Sequence, residues 1–254
     1  YLILESTYGA RLHVPIEEAK TKLKDAINKT IERKGKILIP SFTLERTQEV
    51  TYFLNELLKE KLIPPIPIYV DSPLATDITD LFKYHISYLD EETRQAVKEK
   101  KGPFEFLNLR YIRDQEESKR LNNDKRPMII IAGSGMCESG RILHHLKNNI
   151  EDSRNTILVV GYMAQNTLGK RIVDKIPFVR IIGVEYELNA EVVIINAFSG
   201  HADKNELYDF VSGCLPLKRI FLVHGDIDQS QALCDTLTQK GLDVYIPVKD
   251  KRIT

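Results

Sequence analysis

The sequence predicts an α/β protein with mostly parallel strands. Short apolar runs alternate with amphipathic stretches of helical period along all 254 residues. The runs 128–132 and 156–160 are apolar enough for strands buried on both faces. Residues able to carry chemistry gather where a run ends and a helix begins, which is where open α/β sheets collect ligands.

Tyr1–Glu5 reads as a strand followed by the turn-like Ser6-Thr7-Tyr8-Gly9. A strand at residue 1 without an initiator Met leads to the expectation that the chain is part of something longer. Pro15–Lys34 reads as a helix with the stripe Ile16, Ala19, Leu23, Ala26, Ile27 and Ile31; Pro15 opens it and Gly35 closes it. A strand at Lys36–Pro40, a helix at Leu44–Lys61 and a strand at Ile66–Asp71 follow. Residues 77–101 read as mostly helical, and 102–126 as polar and poorly periodic. Strands at 128–132 and 156–160 precede Val179–Tyr186 and Glu191–Phe198, expected to pair antiparallel. Arg219–Val223, a helix over 229–240 and Val244–Pro247 close the chain.

Lys plus Arg equals Asp plus Glu at 36 each, so any nucleic-acid contact has to come from a local patch. The most basic stretch, Lys98–Lys101 with Arg110, Arg113 and Lys119–Arg126, is interleaved with acids and reads as a solvated surface. No apolar run approaches the roughly 20 residues of a membrane helix. Cys137, Cys214 and Cys234 are widely spaced and odd in number; they read as buried small hydrophobes in a reducing cytoplasm, not as a zinc knuckle.

Five junctions stand out. Ser199-Gly200-His201-Ala202-Asp203 follows a strand; Asp203 and Glu206 fit a capping pair, whereas His201 has no such structural reason to be there. His224 leaves an apolar strand into Gly225, a good position for a metal ligand, but one histidine does not make a metal site. His13 and His85 are isolated, and the adjacent His144 and His145 are expected to face solvent. Glu49, in the helix after Ser41-Phe42, lies at the edge of the apolar stripe and reads either as a cleft carboxylate or as an acid at the helix's positive end. Gly133-Ser134-Gly135-Met136 offers small residues and backbone N–H groups to a phosphate, without the spacing of a dinucleotide fingerprint. Gly161-Tyr162-Met163-Ala164, with Thr167-Leu168-Gly169, is the fifth.

Together these phrases, with Leu4-Glu5-Ser6-Thr7-Tyr8-Gly9, Ile39-Pro40-Ser41-Phe42 through Gln48-Glu49 and Val223-His224-Gly225, resemble the β-CASP family of metallo-β-lactamase-fold nucleases, in the family's order. The resemblance implies zinc-dependent hydrolysis of RNA phosphodiester bonds, with two Zn²⁺ ions activating the attacking water. It gives Glu49 the part of the motif A carboxylate that orients His201, the motif B proton donor. His224 becomes the motif C zinc ligand, and Ser134, Gly135 and Met136 line the RNA groove. It also implies an architecture: residues 1–13 and 177–254 in the metallo-β-lactamase αββα fold, and 14–176 as an inserted Rossmann-like β-CASP domain.

The family's His-x-His-x-Asp-His cluster is missing. The chain is therefore expected to be inactive alone, to hold zinc weakly or not at all, and to need an amino-terminal half as well as RNA for a partner. A homodimer, and the choice between internal and terminal cutting, stay open. Two other readings remain: a non-catalytic RNA-binding paralogue, which the three motif residues argue against, and a nucleotide-cofactor enzyme, which the glycine spacing argues against.

Overall fold

The computed structural model describes residues 1–89, 91–98, 102, 104–195 and 200–248. In chain order the elements are β1 (Leu2–Glu5), α1 (Ile16–Glu32), β2 (Ile37–Pro40), α2 (Arg46–Lys59), β3 (Ile68–Val70) and α3 (Pro73–Tyr84). A 3₁₀ turn (Ile86–Tyr88) leads to α4 (Glu91–Lys98), β4 (Leu109–Tyr111), α5 (Gln115–Asn123), β5 (Ile129–Ala132), α6 (Arg141–Asn149) and β6 (Thr156–Val159). The remainder is α7 (Leu168–Val173), β7 (Phe178–Ile181), β8 (Val184–Glu187), β9 (Glu191–Ile194), α8 (Lys204–Gly213), β10 (Ile220–Val223), α9 (Ile227–Gln239) and β11 (Val244–Tyr245). The α/β class with parallel sheets is what the sequence predicted.

The chain forms two compact units, Pro15–Phe198 and Tyr1–Val14 with Ser199–Thr254. The larger holds a six-stranded sheet in the order β4-β3-β5-β2-β6-β9, every pair parallel. Its central strands are apolar throughout because both faces are covered, and their side chains divide by the two-residue period. Ile37, Ile39, Val70, Ile129 and Ile131 pack with Leu23 and Ile27 of α1 and Leu54 of α2. On the other face Leu38, Ile130, Ile157 and Val159 meet Leu121 of α5 and Ile142 and Leu146 of α6.

In the smaller unit β1, β10 and β11 make a parallel sheet in the order β1-β10-β11. Leu4, Ile220 and Leu222 bury one face against Leu207 and Val211 of α8 and Leu233 and Leu237 of α9. The opposite period-two positions are left open: Tyr1 is 80% and Ile3 72% exposed.

Several expectations change. Val179–Tyr186 is not one strand but the antiparallel hairpin β7–β8, turned by Ile182 and by Gly183 at φ +80°. The 191–198 stretch does not pair with it; β9 instead lies parallel to β6, and residues 196–199 lie outside the described set. The polar segment 102–126 contains β4 and α5. Both were hard to read because α5 buries only Ser118 and Leu121, its start being fixed by the Asp114 carboxylate, which accepts the Glu117 N–H at 2.8 Å. Cys137 is buried, its thiol pushed up to about 12 by burial, but Cys214 and Cys234 are only half-buried. No helix among the described residues is long and apolar enough to cross a membrane.

Candidate active site

The site is built on two strand ends in the smaller unit. In the parallel β1–β10 pair Glu5 is registered opposite Val223, so Glu5-Ser6-Thr7 and His224-Gly225 leave the sheet side by side. A Cβ on Gly225 would lie 2.6 Å from both the Ser6 carbonyl oxygen and its Oγ, so only glycine permits this approach. His224 itself has φ +53°, a left-handed conformation that costs a non-glycine residue about 1–3 kcal/mol and that clusters at functional sites.

His201 arrives from the third direction, the loop before α8. Asp203 and Glu206 form the capping box expected from the sequence. Asp203 also accepts the His13 N–H at 3.0 Å, and the His13 ring donates from Nε2 to the His201 carbonyl at 2.8 Å. His13, isolated in the sequence, therefore braces the His201 loop. Tyr8 packs against both rings, with centroids 5.5 Å from His13 and 6.5 Å from His201.

These supports bring His201 and His224 together: their ring centroids are 5.2 Å apart. The Thr7 hydroxyl donates to the His224 carbonyl at 2.8 Å and lies 3.2 Å from His224 Nδ1. The carboxylate on His201 is Glu5, whose Oε1 is 3.1 Å from His201 Nδ1. Burial pushes the Glu5 carboxyl up, but hydrogen bonds from Thr7 and from His201, with the imidazole's charge, outweigh it and hold Glu5 below its ordinary 4.5.

The resemblance gave this part to Glu49. It lies on α2 in the other unit, ion-paired to Arg46 one turn earlier, and burial raises its carboxyl despite that pairing. The physical reason is local: a carboxylate three residues after an arginine on a helix finds that arginine first. Glu5 was overlooked, although the cue applied to His224, a polar residue closing an apolar strand, marks it equally well.

Glu5, His201 and His224 each offer a ligand atom, all within 4.8 Å of one another, the one such group of three among the described residues. A carboxylate and two imidazoles are donors that suit zinc; with Glu5 held on the His201 ring, His224 is the one of the three placed to serve as a ligand, and a catalytic ion needs further ligands.

Ser134, Gly135 and Met136 form a turn closed on itself. Ser134 Oγ accepts the N–H groups of Glu138 at 3.0 Å and Ser139 at 3.1 Å, and the Met136 carbonyl accepts from Gly169 at 3.0 Å. Gly135 is buried against the Phe42 ring. The N–H groups that looked ready for a phosphate are in part spent inside the loop. In the basic stretch, residues 99–101 lie outside the described set. Arg113 is paired with Asp77, Lys119 with Glu116 and Arg126 with Asp124.

Residues 47–172 match the Beta-Casp domain and residues 185–247 the Zn-dependent metallo-hydrolase RNA specificity domain. The chain is 40% identical over 245 residues to Ribonuclease TTHA0252 of Thermus thermophilus, a match covering 96% of this chain and 56% of that protein. It is 33% identical to Transcription termination factor FttA of Methanosarcina mazei, over 89% of this chain and 37% of the relative. With Cleavage and polyadenylation specificity factor subunit 3 of Dictyostelium discoideum it shares 31% identity, over 94% of this chain and 30% of the relative. The chain thus spans little more than half the length of the ribonuclease and a smaller share of the others. With both domains matched in order across one α/β chain, it belongs to the β-CASP family of metallo-β-lactamase-fold proteins.

Proposed function

We propose that this chain is the carboxy-terminal part of a zinc-dependent nuclease that hydrolyses RNA phosphodiester bonds. The observation that carries the reading is the convergence of Glu5, His201 and His224 within 4.8 Å; the name of the ribonuclease relative supports the reaction class. His224 serves as a zinc ligand. Glu5 fixes the ring of His201 through Nδ1, so that Nε2, on the opposite edge, donates a proton to the departing 3′ oxygen. Glu5 thereby takes the part that the resemblance gave to Glu49. Bound zinc would supply an activated water and stabilise the charge developing on the phosphate.

The two family matches support assigning 14–176 to the β-CASP domain and 1–13 with 177–254 to the metallo-β-lactamase fold. A further segment packed on the open face of the β1–β10–β11 sheet would cover Tyr1 and Ile3 and bring the remaining zinc ligands. Three unpaired cysteines suit a reducing cytoplasm.

The test uses a chain extended to the relatives' length. His201→Ala should lower cleavage of single-stranded RNA by about 10²–10⁴-fold and leave RNA binding intact. Equal rates would leave only a binding role. The 254-residue chain alone should not cleave RNA in added zinc, and turnover by it would contradict the proposal.

A further inference from the structure

We propose that the cleft between α5 and α6 binds a backbone phosphate of single-stranded RNA. The inference rests on the RNA reading above and gives it a place on the 15–198 unit. The cleft measures about 650 Å³, within the range of nucleotide-sized sites. Lys119, Arg141, His144 and Lys147 line it with the amides of Asn122 and Asn148, and no Asp or Glu is among the described residues of its lining. In a chain with equal numbers of acids and bases this is a local excess of positive charge. His144 registers the field: burial, then Lys147, His145 and Lys119, hold its imidazole below the ordinary 6.5.

The floor of the cleft is rigidly built. Asp71, fully buried, accepts from Ser118 Oγ at 2.5 Å, Arg141 Nη1 at 2.6 Å and His145 Nε2 at 2.6 Å. His145 Nδ1 meets Asn122 Oδ1 at 2.9 Å, and Arg141 also donates to the carbonyls of Ile112 and Arg113. A buried ion network gives little net stability against an apolar replacement. What this one does is hold Ser118, Asn122 and Arg141 in fixed positions beneath the cleft. Lys119 is paired with Glu116 at 2.6 Å, but that pair is exposed and worth under about 1 kcal/mol, so a phosphate can displace it. No Phe, Tyr or Trp is among the described lining residues, so recognition falls chiefly on the phosphate, whatever the sequence.

The experiment measures binding of a short single-stranded RNA to the 254-residue chain as salt is raised. The variant Lys119→Gln/Lys147→Gln should bind several-fold more weakly at low salt. Its slope of log K against log salt should shrink by about 0.7, the value for one phosphate contact on a single strand. Lys22→Gln/Lys24→Gln on α1, which removes the same charge, should keep the wild-type slope. The proposal is overturned if the cleft variant binds like wild type, or if the α1 variant loses as much. It is also overturned if inorganic phosphate or a nucleoside monophosphate shifts the His144 ring resonances while RNA does not. An unchanged cleft variant alongside loss of cleavage in His201→Ala sinks this proposal alone, as does a wild-type chain that binds no RNA; equal cleavage by His201→Ala in the extended chain sinks the nuclease reading.

Discussion

Two of the carboxylate–histidine pairs among the described residues, Asp71–His145 and Glu5–His201, have similar chemistry and opposite settings. Asp71 and His145 lie between β3 and α6 with side chains wholly shielded from water, and both ring nitrogens meet oxygen acceptors. Glu5 and His201 meet at 3.1 Å with side chains 26% and 38% exposed, at the end of β1 and in the loop before α8. In the first pair the ring is clamped on both edges and can only hold structure. In the second the carboxylate takes one edge, and the ring is positioned by His13 and Tyr8 beside a second histidine. A histidine's surroundings, not its carboxylate partner, separate a strut from a proton donor.

The largest expected effect comes from breaking the buried pair. Asp71→Ala leaves Arg141 and His145 without their anion and should lower stability by about 3–5 kcal/mol in urea unfolding. Glu5→Gln, on a partly exposed pair, should cost under about 1 kcal/mol. Similar losses at both positions would erase the distinction.

Acid should separate the pairs too. Burial raises the Asp71 carboxyl, but hydrogen bonds from His145, Ser118 and Arg141 outweigh it and hold it below the ordinary 3.8. A lowered folded value means that the network's stabilisation is complete above that pH and is lost as pH falls through the folded value. Asp71→Asn should therefore flatten the decline in stability below pH 3.8, measured by unfolding midpoints. A wild-type curve without a decline there would count against the network.

Gly225→Ala forces a Cβ against the Ser6 backbone and should cost about 1–3 kcal/mol, visible as a lower unfolding midpoint. A modest effect is expected from His13→Ala, which removes one hydrogen bond to the His201 loop, worth about 0.5–1.5 kcal/mol. A larger loss would make His13 part of the core and not a brace.

The layering was legible because the two-residue period of Ile37–Ile39 and Ile129–Ile131 and the stripe of α1 reflect burial on both faces. His201 and His224 were legible as polar residues at strand ends. His145 was misread as solvent-facing because its partner, Asp71, lies 74 positions away, just after β3, and only the fold brings them within 2.6 Å. For Glu49 the helical position suggested a cleft, and the ion pair with Arg46 is a contact that helical spacing alone left open. The β7–β8 hairpin hid within one apolar run because Gly183 was its only turn signal.

The most direct test of the account compares Glu5→Gln with Glu49→Gln in a chain extended to the relatives' length, following RNA cleavage and RNA binding together. Glu5→Gln should lose at least about 10²-fold in cleavage with binding retained, while Glu49→Gln stays within a few-fold of wild type. Full activity in Glu5→Gln with loss in Glu49→Gln would contradict it.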